Sequence, residues 1–459
     1  MKFRSLASVI SVLLALTLVL GGCGGGTSAP AATTTAAPPP ASDAPTEQAS
    51  EGTTDFSGKT ITVMFMSGDY ADSTLELVVP EFEKLTGAKV EVVDFPYNTM
   101  PEKMMLDFTG GGTAAYDVLQ VACQWDGYMA PFLLPLEPFI ERDNFDIEDF
   151  DENILNNAGR WEGVIRGIPH VNTPYTMLYR TDLMDAPPKD WDEYIAVAEK
   201  YHDPANGMYG VAPGAAKGQY GSVLYSRLWS MGGEWCDEDW NPNWDTPEAR
   251  RALEISKRVI ELSDPASLNW GLPEAGAAFA AGNAVFLEAW PGSSFIAPLA
   301  NSEANKIGDN WAIANFPADE TGLTNLSAWD LSINAKSNEP DLSWEFIKLY
   351  TSTEIALQMF EKYVMLHPRK SFWEYEQVKS SPLYPMKDAL PNAVIWWRIP
   401  AGEEVRTELP NGWHAYLAGE CTIDEAIATM NTSLTRALSD NPPPEGVKNA
   451  LYQLVQSRR

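Results

Sequence analysis

Flat rings stand beside carboxylates at several points of this chain, and that pairing has a chemical meaning. Asp69 precedes Tyr70, Trp125 precedes Asp126, Glu288 stands two residues before Trp290, and Trp329 precedes Asp330. Trp396-Trp397-Arg398 adds two more rings and a guanidinium near the C-terminus. A polyhydroxylated ligand offers hydroxyls around its rim and C–H patches on its faces. Carboxylates, amides and arginine suit the rim, and aromatic rings suit the faces. Each pair also has a structural reading. Trp125 can close a core and Asp126 can cap a helix. Asp330 can pair within the protein, and Arg369 in P-R-K-S suits either ligand contact or support of a hinge. Trp396 and Trp397 cannot both face one pocket, because neighbours point apart in a strand and lie on different faces of a helix.

The elements that must carry these residues are legible around them. Residues 116–126 read Y-D-V-L-Q-V-A-C-Q-W-D. Val118, Leu119, Val121 and Ala122 form an apolar run without strict alternation, which suits a strand covered on both faces. Upstream, 59–66 reads as a first strand and 89–94 as a second. Between them Ser73 and Glu76 have the spacing of a capping box, Leu77, Phe82 and Leu85 point inward, and Gly87 ends the helix. Pro80 inside that pattern predicts a kink or a later start. Pro101 opens a second helix through Met104, Met105 and Phe108, closed by three glycines at 110–112. Strand, helix, strand, helix, strand is the series of a mostly parallel sheet, and such sheets bind ligands beyond the carboxyl ends of their strands.

After Trp161 the pattern changes. Residues 168–180, I-P-H-V-N-T-P-Y-T-M-L-Y-R, are extended and twice interrupted by proline, which reads as a boundary and places Asn172 within it. Helices are predicted over 191–201, from the Asp245-Thr246-Pro247 start to about 262, and over 273–281, 342–350, 354–363 and 422–438. Strands are predicted over 284–288 and 326–334. No repeat of short period is present.

The chain has 459 residues, 45% of them apolar, which is ample for a large buried core. Lys2 and Arg4 precede an apolar stretch over 6–20 that is short for a membrane span, and Leu20-Gly21-Gly22-Cys23 follows. This order resembles a bacterial lipobox, which implies a signal peptide over 1–22, cleavage before Cys23, and lipid on that cysteine. Residues 23–55 are rich in Gly, Ala, Thr, Ser and Pro and read as a disordered spacer. Loss of Lys2 and Arg4 takes the formal charge from −31 to −33. That charge argues against nucleic acid and polyanionic substrates. Cys123, Cys236 and Cys421 remain after Cys23, an odd number without C-x-x-C spacing, so at most one intramolecular disulfide is possible.

With these signals in order, the chain resembles the extracellular solute-binding proteins of bacterial ABC importers, in particular the sugar-binding group that includes maltose-binding protein. The landmarks are E-F-E-K-L-T-G at 81–87, Y-D-V-L-Q-V with L-L-P-L-E-P-F after it, and G-I-P-H followed by L-Y-R-T-D-L-M. W-D-E-Y at Trp191, G-N-A-V-F-L at Gly282, L-S-I-N-A-K-S, W-E-F-I-K-L-Y, P-R-K-S and T-I-D-E-A-I complete the set. The resemblance implies an α/β, two-lobed periplasmic-binding-protein-like fold of class II type. Each lobe would be a mostly parallel sheet flanked by helices, the two joined by crossing hinge strands. Lobe 1 would hold 56–168 and 330–366, and lobe 2 would hold 169–329 and 367–459. The resemblance also implies a monomer, a small-molecule sugar held between the lobes, delivery to permease subunits, and no cofactor or metal. Asp69, Asp126 and Trp290 fall at or next to positions that contact sugar in that group, and Trp396 or Trp397 falls near its C-terminal stacking ring. Tyr70 departs from the group, which has lysine there. The expected ligand set is Asp69, Tyr70, Trp125, Asp126, Asn172, Glu288, Trp290, Trp329, Asp330, Arg369 and Trp396.

Two rival readings differ in class. A secreted glycoside hydrolase would place two of Asp69, Asp126, Glu288 and Asp330 around a sugar. Against it, the chain has no G-x-S-x-G, H-E-x-x-H or Walker A motif, and its four histidines are scattered. The same fold could instead take a polyol or a polyamine, the latter through carboxylates and cation–π contacts. Asp237, Glu238 and Asp239 lie in a loop without the twelve-residue order of a calcium-binding hand and read as solvated.

Overall fold

The computed structural model describes residues 55–459 except 218–220, 291, 293–297, 300 and 396, and leaves the side chain of 403 undescribed. The leader, Cys23, the spacer and Trp396 lie outside the described residues. Along the chain, β1 (Thr60–Met66), β2 (Lys89–Phe95) and β3 (Val118–Ala122) alternate with helices. A short hairpin follows, β4 (Arg160–Trp161) with β5 (Val164–Ile165), then β6 (Gly167–Pro174) and β7 (Thr176–Arg180) with only Tyr175 between them. Then come β8 (Tyr209–Pro213), β9 (Ala284–Ala289), β10 (Trp311–Ala314), the long β11 (Thr324–Ile333) and β12 (Ala393–Val394).

Two sheets organise two α/β lobes. The first has the order β12-β11-β3-β1-β2, with β6 also on β11. The second runs β10-β7-β9-β8. In the first, β2, β1 and β3 are parallel, as the strand–helix alternation predicts. β11 then enters antiparallel to β3 and to β6. The second sheet departs from the expected mostly parallel order: only β8 and β9 are parallel, while β7 runs antiparallel to both β9 and β10. All five residues of β3 are buried, which explains its unalternated apolar run. β6 and β11 lie side by side, and β6 continues through Tyr175 into the second sheet, so this pair carries the chain between the lobes.

One local expectation fails for a clear reason. Ser73 does not cap a helix; the chain is already helical from Asp69, and the Ser73 hydroxyl donates to the Tyr70 carbonyl at 3.1 Å. Pro80 lacks an N–H and its ring crowds the carbonyl four residues back. The chain accommodates it with a π-helical segment, Thr74–Val78, ahead of the helix Val79–Thr86. Near the C-terminus, Thr422 and Glu425 make the full reciprocal capping box before the helix Ile423–Asp440. Cys123, Cys236 and Cys421 are all free thiols. No described helix is long and apolar enough to cross a membrane.

Candidate functional site

A cavity of about 860 Å³ opens where strands from both sheets end. Its first-lobe wall is Met66 at the end of β1, Tyr70 just beyond, Tyr97 and Asn98 after β2, and Gln124 after β3. Three parallel strands thus present their carboxyl ends to one space, the place where open α/β sheets bind ligands. The second lobe contributes Trp290 directly after β9, Lys217 beyond β8, and Gly221, Ser222 and Tyr225 from the helix Gly221–Ser230. Arg406, Thr407, Pro410 and Trp413 come from the consecutive helices Gly402–Glu408 and Pro410–Ala418. The floor is β11, through Asn325, Leu326, Ser327 and Trp329.

Aromatic rings brace one another around this space. Tyr97 lies 5.2 Å from Trp125 and 5.8 Å from Trp329, and Trp329 meets Trp125 nearly edge-on at 5.5 Å. Tyr70 packs on the other side of Trp329 at 5.7 Å. Gln124 donates to the Tyr97 hydroxyl, and the Arg406 guanidinium sits 5.4 Å over the Tyr97 ring from the opposite wall. On the second lobe Trp290 stands edge-on to Tyr175 at 4.7 Å, and Tyr225 edge-on to Trp413 at 5.6 Å. Such contacts fix ring orientation before a ligand arrives. Burial raises the Tyr70 phenol's pKa, so Tyr70 presents a neutral hydroxyl.

Several polar groups on the wall have no partner among the described residues. The Asn325 side chain is fully buried, and both its Nδ2 and Oδ1 lack one. The indole N–H groups of Trp290 and Trp413 are in the same state. A buried donor or acceptor left unmatched costs about 1–3 kcal/mol, so these groups are poised to gain from a ligand's hydroxyls.

Of the residues expected from sequence, Tyr70, Trp290 and Trp329 line the cavity. The other described ones are placed elsewhere, and Trp396 lies outside the described residues. Asp69 is exposed, in the first turn of the short helix Asp69–Ser73, and is not on the wall. Trp125 has no exposed surface and forms a second row behind Tyr97. Asp126 is buried and accepts from Arg398 Nη2 at 2.5 Å and from the Gly159 N–H at 3.4 Å. Burial pushes its pKa up, and Arg398 opposes the shift. Asp330 accepts from the Ser332 hydroxyl at 2.7 Å; burial, then the charge of Asp126, holds its pKa well above the usual carboxylate range. Glu288 is fully buried, paired with Arg227 and accepting from the Tyr194 hydroxyl at 2.9 Å. Arg369 reaches Asp149 at 3.1 Å and the Thr351 carbonyl at 2.8 Å, so it ties segments of the protein together. Asn172 is buried in β6 and its N–H donates to the Leu366 carbonyl at 3.0 Å. Trp397 is core: its N–H donates to Glu234 at 2.9 Å.

Among the wall residues that sequence reasoning missed are Tyr97, Asn98, Gln124, Lys217, Tyr225, Asn325, Arg406 and Trp413. Tyr97 had a signal, since it follows β2 as Tyr70 follows β1. The helices over 221–230 and 402–418 gave none strong enough to place their rings.

The family model for the bacterial extracellular solute-binding protein matches residues 67–356, and the chain belongs to that family. A probable amino-acid ABC transporter periplasmic-binding protein of Sinorhizobium fredii is 26% identical over 317 residues, 66% of this chain and 71% of the relative. Among solved structures, maltose-bound MalE3 of T. maritima matches with a TM-score of 0.72 at 24% identity, covering 82% of this chain and 99% of its own. A solute-binding protein of Agrobacterium vitis with bound D-mannitol matches with a TM-score of 0.72 at 23% identity, covering 84% of this chain and all of its own (100%). This chain therefore has the fold of two-lobed binding proteins and is a solute-binding component of the ABC-transporter type.

Proposed function

We propose that this protein captures a saccharide between its lobes and hands it to the permease of an ABC importer. The observation that carries this reading is the ring-walled cavity at the strand ends, with the Asn325 amide and the Trp290 and Trp413 indoles awaiting hydroxyl partners. Tyr70, Tyr97, Trp290 and Trp329 supply faces for sugar C–H surfaces, and Asn98, Gln124 and Asn325 address the rim. The volume stands in the upper part of the roughly 300–1,000 Å³ usual for small-molecule sites and suits more than one sugar ring. No bond is made or broken. Ligand favours closure only through its differential affinity for the two lobe arrangements.

The lobes of this reading are 56–168 with 330–366, and 169–329 with 367–459, turning about β6 and β11. The molecule acts as a monomer held at the outer face of the membrane by lipid on Cys23. A polyol is the second reading, supported by the solved neighbour that holds D-mannitol. The polyamine alternative loses its basis, because Asp126, Glu288 and Asp330 are turned into the protein rather than toward the cavity. The same placement removes the carboxylate pair on which the hydrolase alternative relied.

A melting-temperature screen against mono-, di- and trisaccharides, polyols, polyamines and amino acids tests this. A ligand at a hundred times its Kd stabilises by about 2.7 kcal/mol. A shift with a saccharide is the expected result. A shift with amino acids alone, or with no saccharide or polyol, overturns it.

A further inference from the structure

The charges on the cavity wall carry the reading one step further. The whole chain has 63 acidic against 32 basic residues, so a random sample of its surface would hold about two carboxylates per cation. The wall shows the reverse: Lys217 and Arg406 line it, and no carboxylate does among the described residues. Both cations are on the second-lobe side. Lys217 is exposed a few residues beyond the end of β8, and Gly221 and Ser222 line the same space. Asn325 stands against the helix Gly221–Ser230, its backbone N–H donating to Ser226 Oγ at 2.9 Å, and its fully buried amide has no partner among the described residues. A lysine, an arginine and an orphaned amide thus line one cavity together with aromatic rings, with no carboxylate among the described residues of its wall.

We propose that the ligand is a saccharide bearing one carboxylate, an oligosaccharide with a single uronic-acid residue, with its acid group at the second-lobe end beside Lys217 and Arg406 and its ring faces against Tyr70, Trp290 and Trp329. The inference rests on the saccharide reading above and narrows it. Placing two cations on the wall also answers a physical difficulty: a protein of formal charge −31 repels an anionic ligand unless the site itself holds local positive charge.

Calorimetric titration of the full chain tests it with four probes of equal length: an oligosaccharide with one terminal uronate, its methyl ester, the neutral oligosaccharide, and a counterpart with a terminal sugar phosphate. The free acid is expected to bind at least about tenfold more tightly than its ester, the scale of a charge-assisted contact. Its affinity should fall as salt is raised, while that of the ester holds steady. Lys217→Gln, a change at an exposed position, should narrow the acid-over-ester preference several-fold and leave the ligand-free melting temperature unchanged. Equal or tighter binding of the ester or neutral sugar overturns the acidic assignment and leaves the saccharide reading standing. Tighter binding of a sugar phosphate than of the uronate overturns the choice of carboxylate. Failure of every saccharide, acidic or neutral, removes both readings together.

Discussion

At the scale of single residues, the distinction that matters is which way a carboxylate or amide points. Asn325 and Glu288 are both fully buried, yet Glu288 has Arg227 and Tyr194 while the Asn325 amide has no partner among the described residues. Opposite outcomes follow. Asn325→Ala should weaken ligand binding about tenfold and leave the ligand-free melting temperature unchanged or higher, since it removes an unmatched donor and acceptor. Glu288→Ala should instead cost about 3–5 kcal/mol of stability, because it strands the buried Arg227 charge. Denaturant unfolding without ligand reads this directly; a fully stable Glu288→Ala variant that no longer binds would return Glu288 to the ligand. Sequence could not separate these cases. Glu288 and Arg227 are 61 positions apart, and Asp126 and Arg398 are 272 apart, so no local pattern announces the pairing. The ring positions were more readable, because Tyr70 and Trp290 follow strands whose apolar runs are plain.

At the scale of elements, β11 does most of the positioning. Its register against β6 shifts between Trp329 and Asp330, a bulge-type irregularity of the kind that re-aims side chains. Trp329 lines the cavity while its neighbour Asp330 is buried against Ser332. The strand itself was legible from its apolar residues, but a register shift depends on the partner strand and leaves no mark in the chain. The same holds for the π-helical segment before Pro80. A second tight point is Gly127, where a side-chain carbon would collide with the Arg398 carbonyl. This packing, together with the Asp126–Arg398 ion pair, joins the segment after β3 to the segment after β12. Gly127→Ala should destabilise the protein by about 1–3 kcal/mol through overpacking. Thermal melting of the ligand-free variant checks it, and an unshifted midpoint would mean that the two segments part easily.

At the scale of the whole molecule, buried acids set part of the response to pH. Glu234 accepts from the indoles of Trp229 at 2.6 Å and Trp397 at 2.9 Å, yet burial raises its pKa to about 7. The folded state thus holds a proton that the unfolded chain releases near the ordinary glutamate value. Stability from this group is fully present below about 4.5 and falls as pH rises toward about 7. Buried His170, whose pKa burial lowers to about 3, acts in the opposite sense, so the Glu234 contribution must be isolated by difference. The melting temperature of the wild type minus that of Glu234→Gln should therefore decrease between those two pH values. A flat difference would show that Glu234 ionises as freely in the folded protein as in the unfolded one.

The place of β11 in the first sheet also fixes an order of events in time. It lies between β3 and β12 and pairs with β6, so the edge of β3 is completed by residues about two hundred positions downstream. While the chain is being made, β1, β2 and β3 emerge early with the apolar edge of β3 toward β11 unpaired. Such an edge invites wrong partners until its own arrives. Folding of the first lobe is consequently a late, long-range event. A ribosome-bound chain halted before Thr324 should expose β3 to protease and to chaperone, and extension past Ile333 should protect it.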